Sequence, residues 1–379
     1  MMFFKETDDA KKIYWLGVFI FLALLAHLFH SHGHTGLTYI DNWSYTQFLF
    51  DYQDEFLKRG LLGEILRQLG FQMSYEIANT LAYGIFLGVF LTLLLVFILP
   101  FKDYWQSTGY LLFFLFIFSH SGTIQHFYHD FGRTDGIGLI LTLLSILIIY
   151  KNSNLFAYFF AYLLMTIAIL IHEATFFIYI PLVLVFGFYL SSSKEAKITL
   201  SVLANLFLCT TYIVSTYGLA QNSTLNQHYE KLVSIYGDRV QQDSLAVVHN
   251  REIKENFNFT VVQLKTEKTK TKHFKRFFVL IPTLLLIASL IFEDIYKNGY
   301  SKKLLLFIAA LSPLALYFLG ADFFRWWALA LTNLFIAFAL ISGLDSQFRK
   351  LLISFFYRHQ VLVLVAISFS LLQGDIGVS

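Results

Sequence analysis

The sequence predicts an all-α, polytopic membrane protein, and three observations carry that expectation. Hydrophobic residues make up 57% of the 379-residue chain and charged residues only 14%, against roughly 25% charged in an ordinary soluble domain. Apolar stretches of roughly 17–25 residues, long enough to cross the hydrocarbon core, recur along the chain. Lysines and arginines fall in every second connection between those stretches, which is the bias that orients a protein in a membrane.

The first apolar run, Ile13 to Phe29, follows Lys11 and Lys12 and has no small-residue cleavage site behind it. It is predicted as a retained span over 13–30, not a removed signal peptide. Further spans are predicted over 78–99, 107–120, 135–150, 155–171, 174–190, 198–217, 277–292, 303–320, 327–343 and 359–373, about eleven in all. The third is short and runs into Ser119-His120-Ser121-Gly122, the pattern of a broken helix. Leu351–His359 reads as an interfacial helix before a short last span. Between Lys151 and Lys194 only Glu173 is formally charged. One helix through 155–190 would be about 54 Å long, too long for a single crossing, so the chain is expected to turn at His172-Glu173. No repeat of fixed period is visible, and residues 1–379 read as one membrane domain with outer loops 31–77 and 218–275.

Lys5, Lys11 and Lys12 precede the first span. Lys102, Lys151, Lys194 with Lys197, Lys297 with Lys302 and Lys303, and Arg349 with Lys350 occupy alternate connections. The N-terminus is therefore expected in the cytoplasm. Four polar clusters then fall together on the opposite side. The basic run Lys265–Arg276 lies on that side too, against the trend. Long loops escape the charge rule, and the alternative is that 198–217 does not cross.

In the first cluster, Tyr45, Phe48, Leu49, Tyr52 and Phe56 form a helical stripe over Ser44–Lys58, with Asp51, Asp54, Glu55 and Lys58 on the other face. A second stripe, Leu62, Ile65, Leu66 and Leu69, follows Gly60, and both read as interfacial amphipathic helices. The acids are either the wetted face of such a helix or, next to Lys58 and Arg59, proton acceptors or ligands of a divalent cation beside a phosphate. The second cluster holds His126, His129, Asp130, Gly132, Arg133 and Asp135 at the mouth of a span. Thr134 or Asp135 can cap that helix, whereas Arg133 at a helix N-terminus suits an anion site. His172-Glu173 is either a turn that meets headgroups or a buried pair, in which Glu173 should have a raised pKa and act as a general acid or base. In the fourth cluster Asp322 and Arg325 can pair locally at i, i+3 beside interfacial Trp326 and Trp327, or Arg325 can face a phosphate.

Cys209 is the sole cysteine, so no intrachain disulfide holds the outer loops. A net charge of +3 gives no reason to expect nucleic acid as a partner. No Gly-Lys-Ser/Thr phosphate loop, His-Glu-x-x-His, paired-cysteine motif or Gly-x-Ser-x-Gly elbow is present, which argues against an ATP-driven pump, a zinc protease and a serine hydrolase.

The arrangement resembles the glycosyltransferase C superfamily in its cytoplasmic N-terminus, single span, acidic first outer loop and many further spans. The strings Asp51…Lys58-Arg59-Gly60-Leu-Leu-Gly63, Gly132-Arg133-Thr134-Asp135, His172-Glu173 and Asp322…Arg325-Trp326 are similar to those of Wzy-type polymerases of bacterial capsule and O-antigen. The resemblance implies an enzyme of the inner membrane that transfers sugar from a polyprenyl (di)phosphate at the extracytoplasmic face. In that picture Asp51, Asp54, Glu173 or Asp135 is the catalytic carboxylate. Lys58, Arg59, His126, Arg133, His172 and Arg325 hold the (di)phosphate, supported by Asp130, Asp322 and Trp326. A divalent cation, if one takes part, would fall to Asp51, Asp54 and Glu55. The implied partners are the lipid-linked sugar or oligosaccharide, membrane lipid and a chain-length regulator. A flippase of lipid-linked sugar is the alternative, although such proteins need polar groups at mid-membrane and these spans are nearly free of charge.

Overall fold

In a computed structural model the described residues are Gly17, 39–191, 193–249, 253–300, 302–320 and 322–373, and among them the chain is helical with no strand. Apart from Gly17, the expected span 13–30 lies outside the described residues, as do Lys5, Lys11 and Lys12. Each of the other ten expected spans is helical: Tyr75–Ile98, Thr108–Ser119, Asp135–Lys151, Leu155–Ile171, Thr175–Ile178 with Ile180–Leu190, Lys194–Tyr217, Glu267–Asn298, Lys302–Ala310 with a 3₁₀ turn Ser312–Phe318, Phe323–Leu344 and Gln360–Gln373. The chain turns at His172-Glu173, as expected from length. Among the described residues four helices are, by length and composition, long and apolar enough to cross a membrane: 75–101, 194–217, 269–298 and 323–344. Ser346–Arg358 and Gln360–Leu371, bent by 80°, make a fifth if taken as one span.

Burial separates the centre from the periphery. In Phe323–Leu344, 78% of the apolar window is buried, against 22% in 75–101 and in 194–217. The first is therefore the hub, and the others present apolar side chains outward. Leu87, Leu91 and Leu95, four residues apart, form one exposed stripe, and Phe156, Phe159 and Phe160 form another. Such continuous apolar surface is costly in water and suits hydrocarbon.

Three helices fix the two ends of the bundle. Lys194–Tyr217 begins beside Ser191, whose carbonyl accepts from Lys302, and ends where Lys58 N–H donates to Gly218 O at 2.8 Å. Phe323–Leu344 begins at Arg325 and ends at Asp345, which pairs with Lys303 at 3.3 Å. Glu267–Asn298 begins with His273 against Phe323 and Phe324 and ends with Asp294 bound to Lys303 at 2.8 Å. The cationic end thus carries Lys302, Lys303 and Arg349, and the far end carries the polar clusters and segment 218–249. The basic run is not a loop. From Glu267 it forms the first turns of a 32-residue helix.

The third expected span breaks at His120–Thr123. Groups freed there are satisfied by other helices: Ser121 N–H donates to Ser370 Oγ at 2.7 Å, Gly122 O accepts from Thr332 Oγ1 at 2.7 Å, and His120 Nε2 lies 3.0 Å from Thr283 Oγ1. An interior break persists only when its backbone groups find such partners.

The first outer loop departs from expectation. A helix spans only Asn42–Gln47, not Ser44–Lys58, although Leu61–Gln68 is helical as the second stripe predicted. Phe48, Leu49, Phe50 and Leu57 are all buried, so the segment is enclosed on more than one side. Its backbone donors go elsewhere, with Tyr52 N–H donating to Glu64 at 3.1 Å and Gln53 N–H to Asp51 at 3.0 Å. Ile40, Tyr45 and Phe131 share a core with Leu232, Val240 and Leu245, so the described parts of the two long loops fold together as a cap.

Gly63 is built into this cap, because a Cβ there would stand 2.1 Å from Phe50 O. Gly63→Ala should cost about 1–3 kcal/mol by overpacking, read as a lower melting temperature of the detergent-solubilised chain. Gly84→Ala, with nothing within 4 Å of the added carbon, should not lower it.

Candidate functional site

The site begins with a strained residue. Arg59 has a φ of 66°, in the left-handed region that non-glycine residues avoid. That backbone turn aims its guanidinium at the connection between Leu155–Ile171 and Thr175–Ile178, where it holds Glu173 by two bonds, Nε to Oε2 at 2.8 Å and Nη2 to Oε1 at 2.7 Å. Burial by itself would raise the Glu173 carboxyl, but Arg59 outweighs it through charge and hydrogen bonds and holds it well below the usual carboxylate range. The expectation of a raised pKa at Glu173 is therefore corrected: the acid is buried, but with its own cation. At the neighbouring His172, Nδ1 accepts from Ala174 N–H at 3.1 Å. This places the proton of the neutral ring on Nε2, an inference from that bond. Burial, reinforced by Arg59, pushes the His172 imidazole down to about 3.

Arg325 forms the second centre. It binds Asp135 through Nε at 2.7 Å and through Nη2, meets Asp322 at 3.3 Å, and stands 3.9 Å from Asp130. His172 Nε2 is 3.9 Å from the other oxygen of Asp135. Asp135 is thus engaged with a guanidinium from another helix and is not a cap. Thr134 stands at the N-cap without a side-chain cap bond. Gly132 allows the approach, with a φ of 86° and a would-be Cβ 2.6 Å from Ile40. Burial pushes Asp130 up to about 6 from 3.8, partly offset by Arg325 and Arg133. Its Oδ2 has no hydrogen-bond partner among the described residues, and His126 Nδ1 lies 3.6 Å away.

Lys58, Arg59, Arg133, His172, Glu173, Asp322, Arg325 and Trp326 line one cavity of about 540 Å³. Three of the four polar clusters and the join Lys58-Arg59 of the first thus meet there. Arg133 lies over the Trp43 ring at 3.8 Å and has no carboxylate within 4 Å among the described residues. Asp322 is the more open of the two acids that line the cavity, 44% exposed, and meets Arg325 at 3.3 Å. Trp326 is fixed by its indole N–H donating to Gly320 O at 3.1 Å. Asp130, Asp135 and His126 stand behind Arg325, outside the lining.

Asp51, Asp54 and Glu55 are not in this cavity. They line a separate cleft of about 630 Å³ against Leu225–Tyr236. There Asp54 pairs with Lys231, and Glu55 accepts from Gln221 N–H at 2.8 Å and Asn222 N–H at 3.2 Å. These acids tie the two outer loops together. Among the described residues no three His, Cys, Asp or Glu side chains are grouped to hold a metal ion.

Sequence reasoning did not single out Trp43, which carries Arg133, or the polar residues Thr211, Ser215, Asn256 and Thr260 of the cavity's other wall. The i, i+4 spacing of each polar pair was a readable signal; their meeting across two helices was not. No family model, no curated protein and no solved structure matches this chain.

Asp130 takes up a proton more readily in the folded chain than in the unfolded one, so it opposes folding increasingly as pH rises from about 4 to about 6, and fully above that. Asp130→Asn should remove that penalty, roughly 3 kcal/mol at neutral pH. The melting temperature should rise at about pH 7.5 and stay nearly unchanged at about pH 3. Equal shifts at both would contradict the assignment.

Proposed function

We propose that this chain is a membrane glycosyltransferase that acts on a polyprenyl-(di)phosphate-linked sugar at the extracytoplasmic face of the bacterial inner membrane, as a surface-polysaccharide polymerase. The observation that carries the reading is one cavity joining four cations, two carboxylates and indole walls, at the end of an apolar bundle remote from Lys302, Lys303 and Arg349. Cations beside hydrocarbon are expensive and call for an anion that itself belongs to the membrane. In this reading the acceptor hydroxyl oxygen attacks the anomeric carbon and the bond from that carbon to the phosphate oxygen breaks. The hydroxyl proton passes to a carboxylate. Asp322 is the most open candidate, and Glu173 can serve once Arg59 turns to the phosphate. Arg133, with Lys58 and Arg59, stabilises the departing (di)phosphate, and fixed cations at a developing charge are a large catalytic contribution. Arg325, bound by Asp135 and Asp322, positions the site.

Deleting the chain from its host should leave single repeat units on the lipid carrier. Absent surface glycan with intact cytoplasmic precursor would instead indicate a flippase, and a complete glycan lacking one branch a side-chain transferase. Asp322→Asn and Glu173→Gln should lower turnover by about 100-fold or more where the residue takes the proton, with expression retained. Full activity in both variants would remove the carboxylates from the reaction.

The proposed topology has about eleven crossings, with the N-terminus in the cytoplasm and residues 218–275 outside. Asn222 is exposed in the cap. A cysteine placed there, with Cys209 replaced by Ser, should react with a membrane-impermeant thiol reagent added to intact cells. Reaction only after permeabilisation would invert the orientation.

A further inference from the structure

The cavity has a second wall that the proposed chemistry does not use. Lys194–Tyr217 contributes Thr211 and Ser215, and Ile253–Lys265 contributes Asn256 and Thr260, each pair four residues apart and so on one helix face. Helical threonines usually satisfy their hydroxyls on the carbonyl four residues back. Thr92, Thr199 and Thr210 do so, on Gly88, Glu195 and Leu206. Thr211 and Thr260 do not. They are only 9% and 0% exposed, line the cavity, and have no hydrogen-bond partner for Oγ1 among the described residues. Thr108 and Thr166 also lack a partner for Oγ1 among the described residues, but only Thr211 and Thr260 line the cavity, where another molecule can complete the bonding. Among the described residues no charged side chain of these two helices lines the cavity. The cations and acids lining the cavity all come from the first loop, the His172-Glu173 turn, Arg133 and the start of Phe323–Leu344.

We propose that Thr211, Ser215, Asn256 and Thr260 hold the hydroxyls of an uncharged sugar unit and set the site's selectivity against sugar acids. The inference rests on the glycosyltransferase reading and adds the class of sugar. A hydroxyl donates and accepts, as a sugar hydroxyl does, so each meets the other without a charge. A hexuronic acid would bring a carboxylate to a wall that holds no cation among the described residues, and burying such a group unpaired is costly.

The test uses the full chain in lipid nanodiscs and three probes: polyprenyl phosphate, the same lipid carrying a neutral hexose, and the same lipid carrying a hexuronic acid. The hexose conjugate should bind more tightly than the other two. Thr211→Val and Thr260→Val keep side-chain shape, and each should weaken hexose-conjugate binding roughly fivefold, about 25-fold together. Polyprenyl phosphate binding should stay within about twofold, and Thr210→Val should change neither. The inference is overturned if the paired variant binds the hexose conjugate as the native chain does, or if the hexuronate binds equally well. Failure of bare polyprenyl phosphate to bind would overturn the proposed function itself, a result separable from loss of the hexose preference alone.

Discussion

Arg325, enclosed by Asp135, Asp322 and Asp130, is the interaction on which the rest of the site depends. It joins the central helix Phe323–Leu344 to Asp135–Lys151, and through Asp135 it reaches His172. Tyr179 adds a bond from its hydroxyl to Asp135 O at 3.2 Å, and Asn333 donates to Ile178 O at 2.7 Å. Four elements are thereby set against one another by polar contacts within a hydrocarbon-like interior. A buried ion pair need not favour folding over a well-packed apolar substitute, but removing one partner leaves an uncompensated charge that costs several kcal/mol. The pairing is therefore weak evidence for stability and stronger evidence for registry, because it forbids sliding of the central helix relative to its neighbours.

The same logic ranks the cations. Arg325 shares its charge among three carboxylates, and Arg59 is held by both oxygens of Glu173. Arg133 stacks on Trp43 with no carboxylate in reach among the described residues. An anion entering the cavity is drawn first by the cation whose charge is not already balanced. Trp43 supplies the indole face beneath that guanidinium, which supports a cation while leaving its donors toward the cavity. The cap matters for this reason, since Trp43 belongs to its first helix and Ser244 secures the Trp43 carbonyl at 2.9 Å.

Local composition made the helices readable, and spatial convergence had to come from the fold. Leu155–Ile171 and the break at His120 follow from span length and from a polar run inside an apolar one. The sequence around Glu173 left open a headgroup-facing turn or a buried acid, and it did not reveal that Arg59, 114 residues earlier, would neutralise it. Asp51 and Asp54 looked catalytic because they neighbour Lys58 and Arg59 in the chain. The loop turns between them, sending the acids to Leu225–Tyr236 and the cations to the cavity. A helical stripe also misled over Ser44–Lys58, because periodicity cannot distinguish a one-sided helix from a segment buried on several sides.

Arg59 and Glu173 also show why a membrane site of this kind can be charged yet nearly neutral at rest. A cation left alone near hydrocarbon is expensive to keep, so Arg59 and Arg325 each hold a carboxylate, while Arg133 rests on the face of Trp43. Exchange of Glu173 for a phosphate oxygen on Arg59 is close to isoelectric, so it contributes little net attraction. In the proposed reaction it would release a carboxylate into the cavity as the anion arrives. Net affinity for the anion would then fall to Arg133, while Arg59 would couple anion binding to the freeing of a proton acceptor. The left-handed backbone at Arg59 agrees with that role, because strain persists where the surroundings hold a side chain in one direction.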